Sequence, residues 1–395
     1  MTHVVLHALE GLSPPVVARV SGDEAVLRAA AAGLPDGAAT PEAVAARARR
    51  TGAALSWGDP VREADPRARL AFCRARGASS VELLRTDPAL LPDLQIGSFF
   101  ERRFIQRCAR RLLLALRQPY ASSSSVAADS AFWSGVRSAA TAAEWRRLAQ
   151  SSYVVIHYHR VAKRKPGQER LNVSPEVFGR QMRWLGRLGL RPLSADELIR
   201  FHTDPEGTLP RRAVVVCADD AFRDAVVALR ERSELRPIVF VPTDEVGRSA
   251  RWTWAEGEAV ASWQELQEFS AAGGTVASHA RTHVPLPELD PDSLAAELEE
   301  SLRLLREHVP AAAALLAYPH GEHDDAVCAA AAAAGYEAAF TTQVGRNGAG
   351  TDRYRLRRVG PKDWDGAPAF VWLALTGEGL PWPIERRRRR MRGLR

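Results

Sequence analysis

The pattern of apolar and polar positions changes character near residue 150. Before it, apolar residues recur three and four apart, the spacing of helices with one buried face. Thr40 is a natural N-cap, Pro41 suits a first helical position and Gly52 suits an end, so a helix is expected between them. Residues Glu101–Arg117 read ERRFIQRCARRLLLALR, a basic amphipathic helix. Its Phe104, Ile105, Leu112, Leu113 and Leu116 are expected to pack into a core, with membrane-surface or partner docking as the alternative. The small-polar stretch Ala121–Ser130 (ASSSSVAADS) reads as a linker.

From Tyr153 onward short β-rich runs alternate with capped helical segments. The strand candidates are residues 153–158, 213–218, 237–242, 275–278, 315–318, 338–342 and 356–360. Ser174-Pro175 opens one helix, and Ser194 to Glu197 and Ser262 to Glu265 have capping-box spacing. Asp290-Pro291 opens a helix running to about His308, and Gly335 stops the one that follows His323. Such alternation predicts a parallel α/β fold. At about 200 residues the region is somewhat short for an eight-fold barrel. The expected division is residues 1–120 as an N-terminal α/β or mostly helical domain, 121–152 as linker and lead-in, 153–365 as barrel and 366–395 as a C-terminal helix and basic tail.

Composition narrows the function classes. Hydrophobic residues make up 46% and charged residues 26% of 395, enough for a sizeable core. Much of the net charge of +7 lies in Glu385–Arg395, so the basic balance does not point to nucleic acid. That tail is expected to be a solvated end, with contact to an anionic membrane surface or polymer as the alternative. Cys73, Cys108, Cys217 and Cys328 form no close pair and read as reduced thiols. No signal-peptide pattern or long apolar span is seen, and the expected location is the cytoplasm.

Parallel α/β folds place their sites at the C-terminal ends of the strands. Here those ends carry His159, then Asp219-Asp220, then His279 with His283 four residues on, then Tyr318-Pro319-His320. Two imidazoles and one carboxylate are a Zn-type hydrolytic set that leaves room for water and substrate. An adjacent carboxylate that is not a ligand can take the water's proton. Taken singly, the Asp pair also suits a helix cap, the histidine pair a solvated surface and the Tyr-Pro-x-Gly segment a turn.

These segments together resemble the polysaccharide deacetylase family, the NodB-homology domains of carbohydrate esterase family four, in its exopolysaccharide-associated branch. YVVIHYHRV is similar to the family's opening strand, and VVVCADDAFRDA to its Asp-Asp segment. VASHARTHVPLPELD is similar to its histidine-pair segment, and LLAYPHGEHDDAV to its Tyr-Pro segment. FWSGVRSAATAAEWRRLAQ (132–150) resembles a lead-in found with such domains. The resemblance implies a distorted (β/α)7 barrel and removal of N-acetyl groups from a sugar of a bacterial polysaccharide or glycoconjugate. It implies Asp219 as general base, and Asp220, His279 and His283 as ligands of a divalent metal, with Zn2+ expected. It implies His320 as the donor of a backbone N–H to the acetyl oxygen. His159, Tyr318 and Arg358 are the candidate substrate contacts, and Trp252, Trp254, Trp364 and Trp372 could line a sugar cleft.

The sequence departs from the family pattern around these residues. Cys217-Ala218 replaces Thr-Phe, Ala221 replaces a glycine and Ala280 replaces a Ser/Thr. The family's late Asp-Trp pair and its acid histidine have no match in context, although Asp363-Trp364 lies further on. The alternatives are therefore a relative that binds metal and glycan without turnover, or another metal-dependent amide or ester hydrolase on the same barrel.

Overall fold

The computed structural model describes residues 3–7, 17–21, 56–57, 66–101, 103–116, 125–163, 171–252, 255–381 and 384. The helix expected after Thr40, Trp254 and the basic tail lie outside the described residues. The chain forms two compact units: residues 1–150 with 348–350, and residues 151–347 with 351–395.

The first unit has an antiparallel sheet of β1 (His3–His7), β2 (Val17–Ser21) and β3 (Ser56–Trp57). Its helices are α1 (Pro66–Thr86), α2 (Phe104–Leu116), α3 (Ser125–Ala139) and α4 (Ala142–Ala149). The stretch expected to be a linker is thus helical from Ser125 onward. Helices α1 and α3 meet through glycines. A Cβ on Gly77 would lie 2.0 Å from the Phe132 carbonyl oxygen, and one on Gly135 would lie 1.8 Å from that of Arg74.

Helix α2 corrects the expected packing. Ile105 is 69% and Leu112 59% exposed, while Arg107 and Arg110 are buried. The reason is that Arg110 finds a complete set of partners. Its Nε and Nη2 donate to the two carboxylate oxygens of Asp129 at 2.8 and 3.0 Å, and Nη1 donates to the Phe99 carbonyl at 3.0 Å. Its guanidinium lies 5.0 Å from the ring centres of both Phe99 and Trp133. A fully paired, stacked arginine can be buried where apolar periodicity alone would place leucine.

The second unit is the barrel. Its parallel strands are β4 (Ser152–Tyr158), β5 (Ala213–Ala218), β6 (Ile238–Val241), β7 (Thr275–Ser278), β8 (Leu315–Ala317) and β9 (Ala338–Phe340). They lie side by side in chain order. Every residue in them except His157 of β4 and Thr275 of β7 is buried, which suits strands covered on both faces. The segment expected to be a strand at 356–360 is not a regular one. It makes single parallel bridges, Leu356 to Phe340 of β9 and Val359 to Ile156 of β4. Those two bridges close the sheet at a seventh position and aim Arg358 inward.

Helices α5 (Pro175–Arg187), α6 (Ala195–Thr203), α7 (Arg223–Arg230), α8 (Trp263–Ala271), α9 (Pro291–His308), α10 (Asp325–Ala333) and α11 (Ala367–Thr376) belong to this unit. Both expected capping boxes form, on α6 and α8. Asp290 caps α9 and Asp324 caps α10. Ser174 precedes α5 as expected, but its hydroxyl donates to Asp363 at 2.6 Å, and its amide donates to the same oxygen at 2.8 Å. The Asp363 carboxylate is therefore engaged at the start of a helix. The cysteines are free thiols. Among the described residues no helix is long and apolar enough to cross a membrane.

Gly135→Ala should destabilise the protein by about 1–3 kcal/mol, since the added methyl overlaps backbone that cannot swing away. Urea denaturation checks this, and an unchanged midpoint would contradict the close approach of α1 and α3.

Candidate metal centre

The parallel sheet delivers its strand ends to one rim. Asp219 and Asp220 follow β5, His279 follows β7, His320 lies two residues beyond Tyr318 at the end of β8, and His159 follows β4. Ligand atoms of Asp220, His279 and His283 all lie within 4.8 Å of one another, and all three residues are buried. Asp220 Oδ1 stands 3.4 Å from His279 Nε2 and 3.1 Å from His283 Nε2. It nevertheless has no hydrogen-bond partner of suitable geometry. Two imidazole nitrogens crowded against a buried, unsatisfied carboxylate oxygen fit a cation between them better than they fit one another. The His279 ring is fixed from behind, with Nδ1 2.7 Å from the Ala317 carbonyl, which leaves Nε2 to face the site.

Asp219 is held differently. Arg358 Nη1 donates to its Oδ1 at 2.6 Å, and Arg358 Nε donates to the Thr341 carbonyl at 2.8 Å. Burial opposes ionisation of Asp219, but the Arg358 charge and the nearby imidazoles outweigh it and hold the carboxyl well below the usual range. Burial likewise opposes ionisation of Asp220, and there His279 and His283 outweigh it. Asp219 Oδ2 faces His159 Nε2 at 3.9 Å. Burial pushes the Cys217 thiol up to about 12, so this neighbour stays neutral.

The backbone around these groups is strained. Asp220, Ala221, Ala280, His283 and His320 all have φ between 50° and 66°. Each such residue costs about 1–2 kcal/mol unless its surroundings hold it. The surroundings do so: the Ala221 carbonyl accepts from the Ala261 amide at 2.9 Å, and the Ala280 carbonyl accepts from the Thr243 amide at 3.2 Å. Ala221 thus occupies the left-handed conformation that made its lack of a glycine notable.

The remaining candidates separate. The His159 side chain is 18% exposed at the rim. The His320 ring is exposed and packs edge-on against His283 at 4.8 Å. Tyr318 is not presented to a substrate. It is fully buried, and its hydroxyl donates to the Tyr354 carbonyl at 3.0 Å. Arg358 is also enclosed, at 1% exposure, and serves Asp219 rather than a substrate contact. Trp252 does reach the site, its ring 4.8 Å from that of His283. Trp372 is tied to the Gly379 carbonyl at 3.1 Å on α11. His157 is enclosed in the barrel, where burial holds its pKa well below 6.5. Sequence reasoning missed Glu297. Its signal was a carboxylate on the face of α9 that also buries Leu294, Leu298 and Leu305.

Residues 207–339 match the family model described as polysaccharide deacetylase. Among curated proteins, 22% of residues are identical over 208 residues to YxkH of Bacillus subtilis, a protein assigned provisionally as a polysaccharide deacetylase. That match spans 52% of this chain and 70% of the relative. Among solved structures, the Streptococcus pyogenes deacetylase PplD, in complex with acetate, is similar at TM-score 0.51 and 20% identity. The likeness covers 57% of this chain and 99% of PplD, and it shows the fold. IcaB from Ammonifex degensii is similar at TM-score 0.49 and 23% identity, over 57% of this chain and 96% of its own.

Removing Arg358 would leave Asp219 a buried, unpaired anion. Arg358→Met should cost about 3–5 kcal/mol of stability, read from urea denaturation. A variant as stable as the parent would show that the pair is dispensable.

Proposed function

Taking residues 207–339 as the polysaccharide deacetylase domain that they match, we propose that this chain is a metal-dependent hydrolase. It removes N-acetyl groups from a sugar of a polysaccharide or glycoconjugate. The observation that carries the reading is the pairing of a three-donor cluster with a second, separately anchored carboxylate beside it. Asp220, His279 and His283 would hold one divalent cation. A mixed imidazole and carboxylate set suits Zn2+. When bound, that ion supplies Lewis acidity to the acetyl carbonyl and to a water.

The protein's own groups do the rest. Asp219 is the general base. Its Oδ1 is committed to Arg358, so the water proton goes to Oδ2, the oxygen turned toward His159. The water oxygen bonds to the acetyl carbon while the carbonyl electron pair moves to its oxygen. Re-forming that carbonyl breaks the carbon–nitrogen bond as nitrogen is protonated, and releases acetic acid, which ionises to acetate in solution. The proton held on Asp219 is then the one that the departing amine nitrogen needs, so the reaction balances without a further acid. The His320 amide is assigned to the developing oxyanion, in keeping with the left-handed backbone that shapes this turn. His159 and Trp252 at the rim are assigned to the sugar, and the aromatic ring suits a sugar face.

The test joins metal analysis to acetate release. The protein should bind one divalent ion per chain, and Asp220→Asn should lose it. The loaded protein should release acetate from N-acetylated oligosaccharides in preference to acetyl esters. Asp219→Asn should lower that rate by about 10²–10⁴-fold, the usual worth of a general base. Metal-loaded protein that cleaves only esters, or that releases no acetate from any N-acetylated saccharide, would overturn the assignment.

A further inference from the structure

Ala280 offers no hydroxyl to hold the loop between His279 and His283, yet the loop is held on every side. Helix α9 does it. Glu297 and Ser301 stand one turn apart on its buried face, at 4% and 0% exposure. Glu297 Oε1 accepts from the Arg281 amide at 3.0 Å, the Thr282 hydroxyl at 2.9 Å and the Thr282 amide. Glu297 Oε2 lies 3.7 Å from Arg281 Nε. Ser301 donates to the Ala280 carbonyl at 3.0 Å, and its oxygen lies 2.8 Å from Ser278 Oγ. Ser278 Oγ in turn accepts from the Ala280 amide at 3.1 Å, and the Tyr336 hydroxyl stands 2.8 Å from it.

The two histidines are not on a helix, so their four-residue spacing does not by itself bring the rings together. Their convergence depends on the path of residues 280–282, which starts and ends on left-handed backbone at Ala280 and His283. A carboxylate that takes two of the three intervening amides and the Thr282 hydroxyl fixes that path with charge-assisted hydrogen bonds. We propose that Glu297, supported by Ser301, is the positioning residue of the metal centre. From α9 it supplies the restraint that Ala280 lacks and so sets the affinity and geometry of the ion. The inference rests on the reading of Asp220, His279 and His283 as a cation site.

The experiment measures Zn2+ affinity by chelator competition and records the visible spectrum of the Co2+-substituted protein, with folding followed by circular dichroism. Glu297→Ala should weaken Zn2+ binding by about 10–100-fold, the usual effect of losing such a support, and should shift the Co2+ bands. Glu297→Gln keeps the shape and one acceptor oxygen, so it should recover most of that loss while remaining measurably weaker than the parent. A folded Glu297→Ala protein with the parent's affinity and spectrum overturns the proposal. If that variant does not fold, a Glu297→Gln protein indistinguishable from the parent overturns it. Failure of the parent to bind Zn2+, or retention of the ion by Asp220→Asn, sinks the cation site itself. Parent-like Glu297 variants with the Asp220→Asn loss intact sink only the positioning role.

Discussion

Two carboxylates leave β5 side by side, and both are buried. Neighbouring anions in a dry site repel, and desolvation opposes each of them. The structure resolves this by giving each a different counterpart. Asp219 receives a guanidinium that reaches in from the barrel closure, and Asp220 receives two imidazoles from one loop. Much of the barrel's construction serves this separation. The bridges at Leu356 and Val359 place Arg358 inside the sheet, and β7 ends where His279 must stand. Without a closing segment at the seventh position, Asp219 would lose its guanidinium partner. Asp219 and Asp220 therefore differ because their environments differ, not because their chemistry does.

The strained backbone is the cost of that arrangement. Ala221 in place of glycine illustrates how small the net cost can be. Its left-handed φ disfavours a side chain by about 1–2 kcal/mol. Its methyl is fully buried, which returns about 0.8 kcal/mol. Alanine also loses less backbone freedom on folding than glycine, by roughly 0.5–1 kcal/mol. These contributions nearly cancel, so the substitution is no argument against an ordered Asp-Asp turn.

Legibility from sequence followed the range of the forces involved. Capping boxes, strand runs and the strand-end placement of Asp219, Asp220, His279 and His283 were readable because each depends on residues near in sequence. The burial of Arg110 was not, because it needs Asp129 and the rings of Phe99 and Trp133 at once. Hydrophobic periodicity therefore put Ile105 and Leu112 on the wrong face. Arg358 reaches Asp219 and the Tyr318 side chain is buried, and both outcomes turn on which way each side chain points. Strand position alone cannot give that for Tyr318, just past β8, or for Arg358, between two isolated bridges. Residues 356–360 (LRRVG) were read as a strand, as one of the short runs that alternate with helical segments, although two of the five residues are arginines. The structure uses it as two separate bridges, a form with no distinct sequence pattern.

The same reasoning bears on the positions that depart from the family pattern. Read one by one, Cys217, Ala218, Ala221 and Ala280 look like the erosion of a site. Seen in the fold, each is a fully buried small residue, and the polar work is done from further along the chain. Arg358 anchors Asp219 from 139 residues away, and Glu297 and Ser301 hold the histidine loop from a helix on the barrel's flank. An eroding site would be expected to leave its buried carboxylates unpaired, at a cost of several kcal/mol each. Here Asp219 keeps a short charge-assisted partner, Glu297 takes three donors, and Asp220 Oδ1, which has no hydrogen-bond partner, faces both imidazoles. That pattern favours the proposed cation site over an eroded one.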